Sequence, residues 1–211
     1  MKPPEVPPNW TDLDAYEVFM GRWSELLAKP FLAFAGVAPG GRVLDVACGT
    51  GVLTKALADA GAHVVGVDAS EGYLEGAHRR RSHPNIIYEL GDACQMRFDD
   101  DSFDAAVSTL ALDLLPEIEQ VVAEMKRVTR PGGLVASGVH QFFGGMPAFD
   151  LVNHTGAVLD SGMNEMRSFQ KGRPLFWANG QAGLWRKMGL TEVTEVPIVA
   201  QRAAARGNCR L

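Results

Sequence analysis

The chain is poor in the residues that build covalent or metal-clipped scaffolds. Its 211 residues include only three cysteines, Cys48, Cys94 and Cys209. They are widely spaced and odd in number, which fits neither a disulfide framework nor a zinc clip. The five histidines show no H-x-x-x-H spacing, so no metal is expected. No apolar run approaches the roughly 20 residues that cross a bilayer. The segment Met1-Lys2-Pro3-Pro4-Glu5-Val6-Pro7-Pro8 lacks the apolar centre of a signal peptide. A cytoplasmic protein without a membrane partner is therefore expected. Positive charge is not in surplus either. The formal net charge of -5 argues against nucleic acid as a partner, because phosphate neutralisation dominates that binding. The basic run His78-Arg79-Arg80-Arg81 reads first as a helix C-terminus with favourable dipole contacts, and only second as a local RNA patch.

What is present is ordinary globular composition, 46% hydrophobic and 21% charged, in a length that suits one domain. Residues 1–10 read as a flexible arm, 11–199 as a single domain, and 200–211 as an atypical tail. Apolar residues at helical spacing predict a helix over 12–28, capped by Thr11 and stopped at Pro30, with a short turn over 31–34. Strands are predicted over 42–47, 63–68, 85–90, 103–110 and 134–140. Helices are predicted over 52–60, 70–81 and 117–129, and Pro131-Gly132-Gly133 is a predicted turn. This alternation is the signature of an α/β domain, a Rossmann-like doubly wound and mainly parallel sheet flanked by helices. Residues 141–176 are less regular, with a weak helical patch over 149–159. They read either as a substrate-side insertion over the ligand edge of the sheet or as ordinary surface structure. A helix over 179–188 and a sixth strand over 190–199 complete the pattern.

An open α/β sheet binds its ligand beyond the carboxyl ends of its strands. The first strand-to-helix turn runs from Asp45 to Gly51, where Gly49 and Gly51 allow a sharp bend and close approach of a ligand. The following helix offers free N–H groups and a positive dipole end. Asp68 ends the second strand, where a carboxylate can accept from ribose hydroxyls. These features define a nucleoside cofactor site. A dinucleotide fingerprint requires G-x-G-x-x-G, but the run from Gly49 is Gly49-Thr50-Gly51-Val52-Leu53-Thr54. Thr54 stands at the third glycine position and disfavours NAD or FAD.

Val43-Leu44-Asp45-Val46-Ala47-Cys48-Gly49-Thr50-Gly51 resembles the first signature motif of the class I S-adenosylmethionine-dependent methyltransferases, in the branch of the ubiquinone- and menaquinone-type enzymes. The resemblance continues through Val65-Gly66-Val67-Asp68-Ala69-Ser70 and Gly91-Asp92-Ala93. It extends to Phe103-Asp104-Ala105-Ala106-Val107-Ser108 and Arg130-Pro131-Gly132-Gly133, in order and in register from about residue 15 to 140. It implies S-adenosyl-L-methionine as cofactor and a small organic molecule as methyl acceptor. Asp45 and the turn Ala47, Cys48, Gly49, Thr50 and Gly51 would surround the methionyl part. Asp68 would hold the ribose, with Ala69 along the adenine and Ser70 beside it. Asp92 would accept from the adenine amino group, Ala93 would offer a backbone N–H, and Leu110 would floor the pocket. Tyr16 and Arg22 would reach the cofactor carboxylate, a guanidinium fork being matched to it. Tyr16 is alternatively a core residue and Arg22 a solvated charge. Cys48 reads as small packing.

Methyl transfer needs a general base only if the acceptor loses a proton. His140, at the end of strand five, and Asp113, beyond strand four, are the candidates; His140 has the better-suited pKa. Its alternative is a packed strand-end residue. Relatives continue into a seventh strand, but here Ala200 to Leu211 is short and basic. Either the sheet lacks its last strand, leaving an edge that a second copy could cover as a homodimer, or the tail has an abnormal origin such as a shifted reading frame. Two rival functions follow: a cofactor-binding protein that no longer transfers methyl groups, and an NAD-linked oxidoreductase.

Overall fold

The structure is a computed structural model that describes residues 12–199. The expected arm over 1–10, the Thr11 cap, Cys209 and the tail over 200–211 lie outside the described residues. Five strands form one sheet, β1 (Arg42–Val46), β2 (His63–Asp68), β3 (Ile86–Leu90), β4 (Phe103–Thr109) and β5 (Thr129–Gly138). Their order is β3-β2-β1-β4-β5, and every pairing is parallel. The chain leaves β1 in one direction and returns through β4 on the other side. This places a switch in strand order beside the turn after β1.

The central strands are continuous apolar runs because both faces are covered. Val43, Val64, Ala105 and Val107 face Leu53, Leu57 and Phe31 on one side. Leu44, Val46, Val65, Val67 and Ala106 face Val121, Val122, Met125, Val128 and Trp185 on the other. The covering helices are α3 (Val52–Asp59), α4 (Glu71–Arg80) and α5 (Ile118–Val128). Ser70 caps α4 by accepting the Tyr73 N–H at 3.3 Å. Gly61 follows α3 at φ +97°, and sequence and structure agree closely between residues 42 and 128. Among the described residues, no helix is long and apolar enough to cross a membrane.

Three sequence expectations are corrected. Pro30 does not stop the first helical segment. That segment is α1 (Leu13–Tyr16), a π turn (Glu17–Gly21) and α2 (Arg22–Ala35), with Pro30 inside α2. An internal proline costs about 3 kcal/mol, but Ala28 and Phe31 on either side of it are buried and anchor the helix across the break. Gly36, left-handed at φ +63°, is the true terminator. The turn at Pro131-Gly132-Gly133 is absorbed into β5 as an irregularity. Register passes from Phe103↔Thr129 to Ala105↔Leu134, and a Cβ on Gly133 would sit 2.7 Å from the Asp104 carbonyl oxygen.

The predicted sixth strand over 190–199 is absent. Glu192 takes a left-handed φ of +53°, and Pro197 removes a ladder donor. Glu195 turns its carboxylate to the N–H groups of Asn179 and Ala182, both at 2.7 Å. It thereby caps α9 (Gly180–Lys187). The sheet of the described residues therefore has five strands and ends at β5.

The irregular stretch after β5 is almost wholly helical. It comprises the broken turn α6 (Phe142–Gly145), α7 (Pro147–Leu159), α8 (Ser161–Lys171) and a 3₁₀ turn (Pro174–Phe176). Periodicity alone hid this, because Gly144, Gly145 and Pro147 punctuate it. Asp160 separates α7 from α8 and caps the latter, accepting the Met163 N–H at 2.9 Å.

Candidate active site

The turn after β1 passes through three left-handed residues, Ala47 (φ +55°), Gly49 (φ +55°) and Gly51 (φ +82°). A Cβ on Gly49 would meet only the Tyr16 hydroxyl, at 3.8 Å, so this glycine leaves open space above the strand ends. A Cβ on Gly51 would run into the Tyr88 ring, so this one is required by packing. Cys48 donates its backbone N–H to Val67 at 3.0 Å, tying the turn to β2. Burial pushes the Cys48 thiol pKa well above its usual range, aided by the charges of Asp45 and Asp68. This sulfur packs and does not react.

Two carboxylates shape the turn. Asp45, buried, accepts the Thr54 hydroxyl at 2.6 Å. Desolvation pushes its pKa up to about 7, against the Thr54 hydrogen bond and with the help of the Asp68 charge. Thr54 is the residue that breaks the dinucleotide fingerprint, and in the fold it is the partner of Asp45. Asp68, at the tip of β2, accepts the N–H of Gly49 at 2.8 Å and that of Ser70 at 2.9 Å. Desolvation still raises its pKa, with those backbone bonds opposing. The two strand tips are thus bridged through a carboxylate that remains partly exposed.

Ala69 is exposed and follows directly. Beyond β3, Asp92 is exposed and accepts the Cys94 N–H at 2.8 Å, while Ala93 packs on the core. Leu110 is left-handed at φ +56° and donates its N–H to the Gly138 carbonyl at 2.7 Å. That bond draws the ends of β4 and β5 together.

Asp113 and His140 sit just past those two ends. Sequence analysis offered them as separate candidates, and the structure makes them a pair. His140 Nδ1 is 2.8 Å from Asp113 Oδ2. Asp113 is buried, and its Oδ1 has no hydrogen-bond partner among the described residues. If Asp113 is ionised it only accepts, and this pairing then assigns the proton to Nδ1 and leaves Nε2 its lone pair. The imidazole stacks on Phe142 with centroids 5.2 Å apart, and Phe142 in turn meets Phe149 and Phe176. Arg173, reaching in from the end of the helical cover, donates to the Leu115 carbonyl. Burial lowers its pKa, and the charge of Asp113 opposes that.

Tyr16 lies at the rim of the turn, its ring 5.0 Å from that of Tyr73. Burial pushes its pKa up to about 12, aided by Glu17 and Asp68. Arg22 is exposed, with its guanidinium 5.3 Å from the Trp23 ring centre. The guanidinium brought to the glycine turn is Arg81. It forks onto Glu17 at 2.8 and 2.7 Å and donates to the Thr50 carbonyl at 3.0 Å. Sequence reasoning saw Arg81 as the end of a helix or as part of a local RNA patch. The Glu17 and Arg81 pairing joins residues 64 apart and leaves no local signal. Gly21 is the one hint, since a Cβ there would strike the Glu17 carboxylate that folds back over it.

Residues 44–137 match the family described as a methyltransferase domain. Among known proteins, the demethylmenaquinone methyltransferase of Renibacterium salmoninarum is 44% identical over 125 residues, covering 58% of this chain and 50% of that protein. The protein of the same name from Paenarthrobacter aurescens is 44% identical over 112 residues, covering 53% and 42%. The chain thus matches about half the length of these relatives. One solved structure is a candidate S-adenosyl-L-methionine-dependent methyltransferase from Methanococcus maripaludis. It shares the fold at a TM-score of 0.61 and 17% identity, over 89% of this chain and 86% of that one.

Proposed function

We propose that this protein, whose residues 44–137 match a methyltransferase domain, transfers a methyl group from S-adenosyl-L-methionine to a small organic acceptor that gives up a proton. The observation that carries the proposal is the Asp113 and His140 pair at the tips of β4 and β5, beside the glycine turn at the tip of β1. The open space over Gly49, flanked by Asp45 and Asp68, supports the fit of the cofactor.

In this reading Asp45 and the backbone from Ala47 to Gly51 hold the cationic amino-acid end, while Tyr16 closes over it. Asp68, with lone pairs to spare beyond its two backbone bonds, accepts from the ribose. Ala69, Asp92 and Ala93 border the adenine, and Leu110 lies beneath it. Arg22, exposed beside Trp23, is the expected partner of the carboxylate, while Arg81 already donates to the Thr50 carbonyl. The cofactor supplies an electrophilic methyl on sulfonium sulfur, so the chain's own task is positioning, worth several kcal/mol of barrier. His140 Nε2 accepts the acceptor's proton. Asp113 holds the ring in that tautomer and balances the imidazolium that results. Phe142, backed by the buried Phe176, gives the acceptor an apolar, water-poor wall.

Similarity to proteins named demethylmenaquinone methyltransferase makes a quinol-type ring the first acceptor to try. The test is incubation of the protein with S-adenosyl-L-methionine and a short-chain demethylmenaquinol. Methylated product and S-adenosylhomocysteine should appear together. Binding of S-adenosylhomocysteine by calorimetry without turnover of any acceptor would favour the binding-only alternative. A thermal shift with NAD and none with S-adenosylhomocysteine would revive the oxidoreductase.

A further inference from the structure

The largest unexplained surface feature is one face of α7. Leu151, Val152, Val158 and Leu159 are 66%, 63%, 76% and 82% exposed. At about 100° per residue, these four and Thr155 fall within a stripe about 120° wide along the helix. The other side of α7 is already engaged with α8. Asp150 pairs with Arg167 at 2.6 Å, and Gly156 lies against Met163. No Lys or Arg occurs anywhere in Pro147–Leu159.

The stripe exposes on the order of 500 Å², the upper range of the largest apolar patch on ordinary monomers. A stable protein partner needs about 800 Å² from each side with shaped complementarity. One smooth helix face does not provide this for a second copy. A fluid apolar phase needs only area. The stripe also connects with the site. About 60° further round the helix from Val152 stands Phe149, 39% exposed. Ring contacts run from Phe149 to Phe142 at 5.9 Å and from Phe142 to His140 at 5.2 Å.

We propose that α7 docks on a lipid bilayer, its Leu151 to Leu159 stripe seated in the acyl boundary so that the aromatic approach to His140 opens at the membrane surface. The occupant is the apolar layer itself, because α7 carries no cation for headgroups. This contact lies on the surface, so the absence of a spanning helix among the described residues does not bear on it. The inference stands apart from the methyl-transfer reading and is tested without substrate.

The experiment is flotation of the full chain with vesicles of phosphatidylcholine alone, and of phosphatidylcholine mixed with phosphatidylglycerol. Equal flotation with both, persisting at high salt, is expected. The double variant Leu151→Gln, Leu159→Gln should bind at least about tenfold more weakly, with its circular dichroism and melting unchanged. Val158→Thr, nearly isosteric, should weaken binding severalfold and serves if the double variant fails to fold. The proposal is overturned if the parent does not float, if it floats only with anionic lipid and is released by salt, or if the folded variants float like the parent. It is also overturned if light scattering shows a dimer that these variants split, which would assign the stripe to a second copy.

Discussion

Asp113 Oδ2 and His140 Nδ1 meet at 2.8 Å across the ends of two adjacent parallel strands, 27 residues apart in the chain. Parallel pairing of β4 with β5 puts both tips on the ligand edge. The Leu110 to Gly138 bond closes the gap between them. The pair is therefore a product of topology, and neither residue finds the other through local sequence.

If the pair is the general base, His140→Ala should lower methyl-transfer turnover about 100-fold or more, the usual contribution of a positioned base. Asp113→Asn should lower it less, because the amide oxygen can still accept from Nδ1 but no longer carries the charge that balances the imidazolium. Both variants should bind S-adenosylhomocysteine like the parent by calorimetry. A parallel loss of cofactor affinity would instead assign the pair to building the pocket.

Asp68 gives a complementary expectation. Asp68→Ala removes the acceptor for Gly49 and Ser70 N–H groups as well as the proposed ribose contact. Binding of S-adenosylhomocysteine should weaken by about 1–3 kcal/mol. The melting temperature should fall also, which a carboxylate serving only the ligand would not cause.

How much of this was legible in the sequence depends on the range of the interaction. The first four strands, α3 and α4 could be read because each carries its own punctuation, Gly61 and Ser70 among them. The glycine turn could be read because glycine takes a left-handed backbone without steric cost. The end of α2 was misread because Pro30 is a local signal and Phe31 burial is a tertiary one, and the tertiary effect prevailed. The sixth strand was misread because Val193, Val196, Ile198 and Val199 are β-branched residues of the kind strands favour, while Glu195 is committed to capping α9. Arg81 and Arg173 were invisible as site residues, their partners being 64 and 58 positions away.

The Arg81 and Glu17 pair should be among the more costly surface-proximal contacts to break. Their side chains are only 11% and 14% exposed, and removing one partner leaves the other charge nearly buried. Arg81→Ala should cost about 2–3 kcal/mol in urea unfolding, somewhat below the value for fully buried pairs. Arg81→Lys should recover part of it without the fork. Burial acts to raise the Glu17 pKa, but the Arg81 hydrogen bonds and charge outweigh it and lower the pKa below 4.5. The folded state then holds fewer protons than the unfolded one near that pH. Stability from the pair is present above pH 4.5 and is lost as acid protonates Glu17.

Asp45 should show the opposite sign. Desolvation raises its carboxyl from 3.8 to about 7, so between those values the folded protein keeps a proton that the unfolded chain has released. Its contribution to stability is therefore greatest at low pH and declines as pH rises toward 7. Asp45→Asn, neutral at every pH, should lack this decline, and the variant should gain on the parent between pH 5 and pH 8 in urea unfolding. A cationic amino group bound beside Asp45 favours the charged form. Parent affinity for S-adenosylhomocysteine should then rise from pH 6 to pH 8, and proton release on binding should be visible by calorimetry in buffers of different ionisation enthalpy. The variant should bind more weakly at pH 8 and show a flatter dependence. An affinity that does not vary with pH in the parent would mean that Asp45 serves only Thr54, holding the turn and not the ligand.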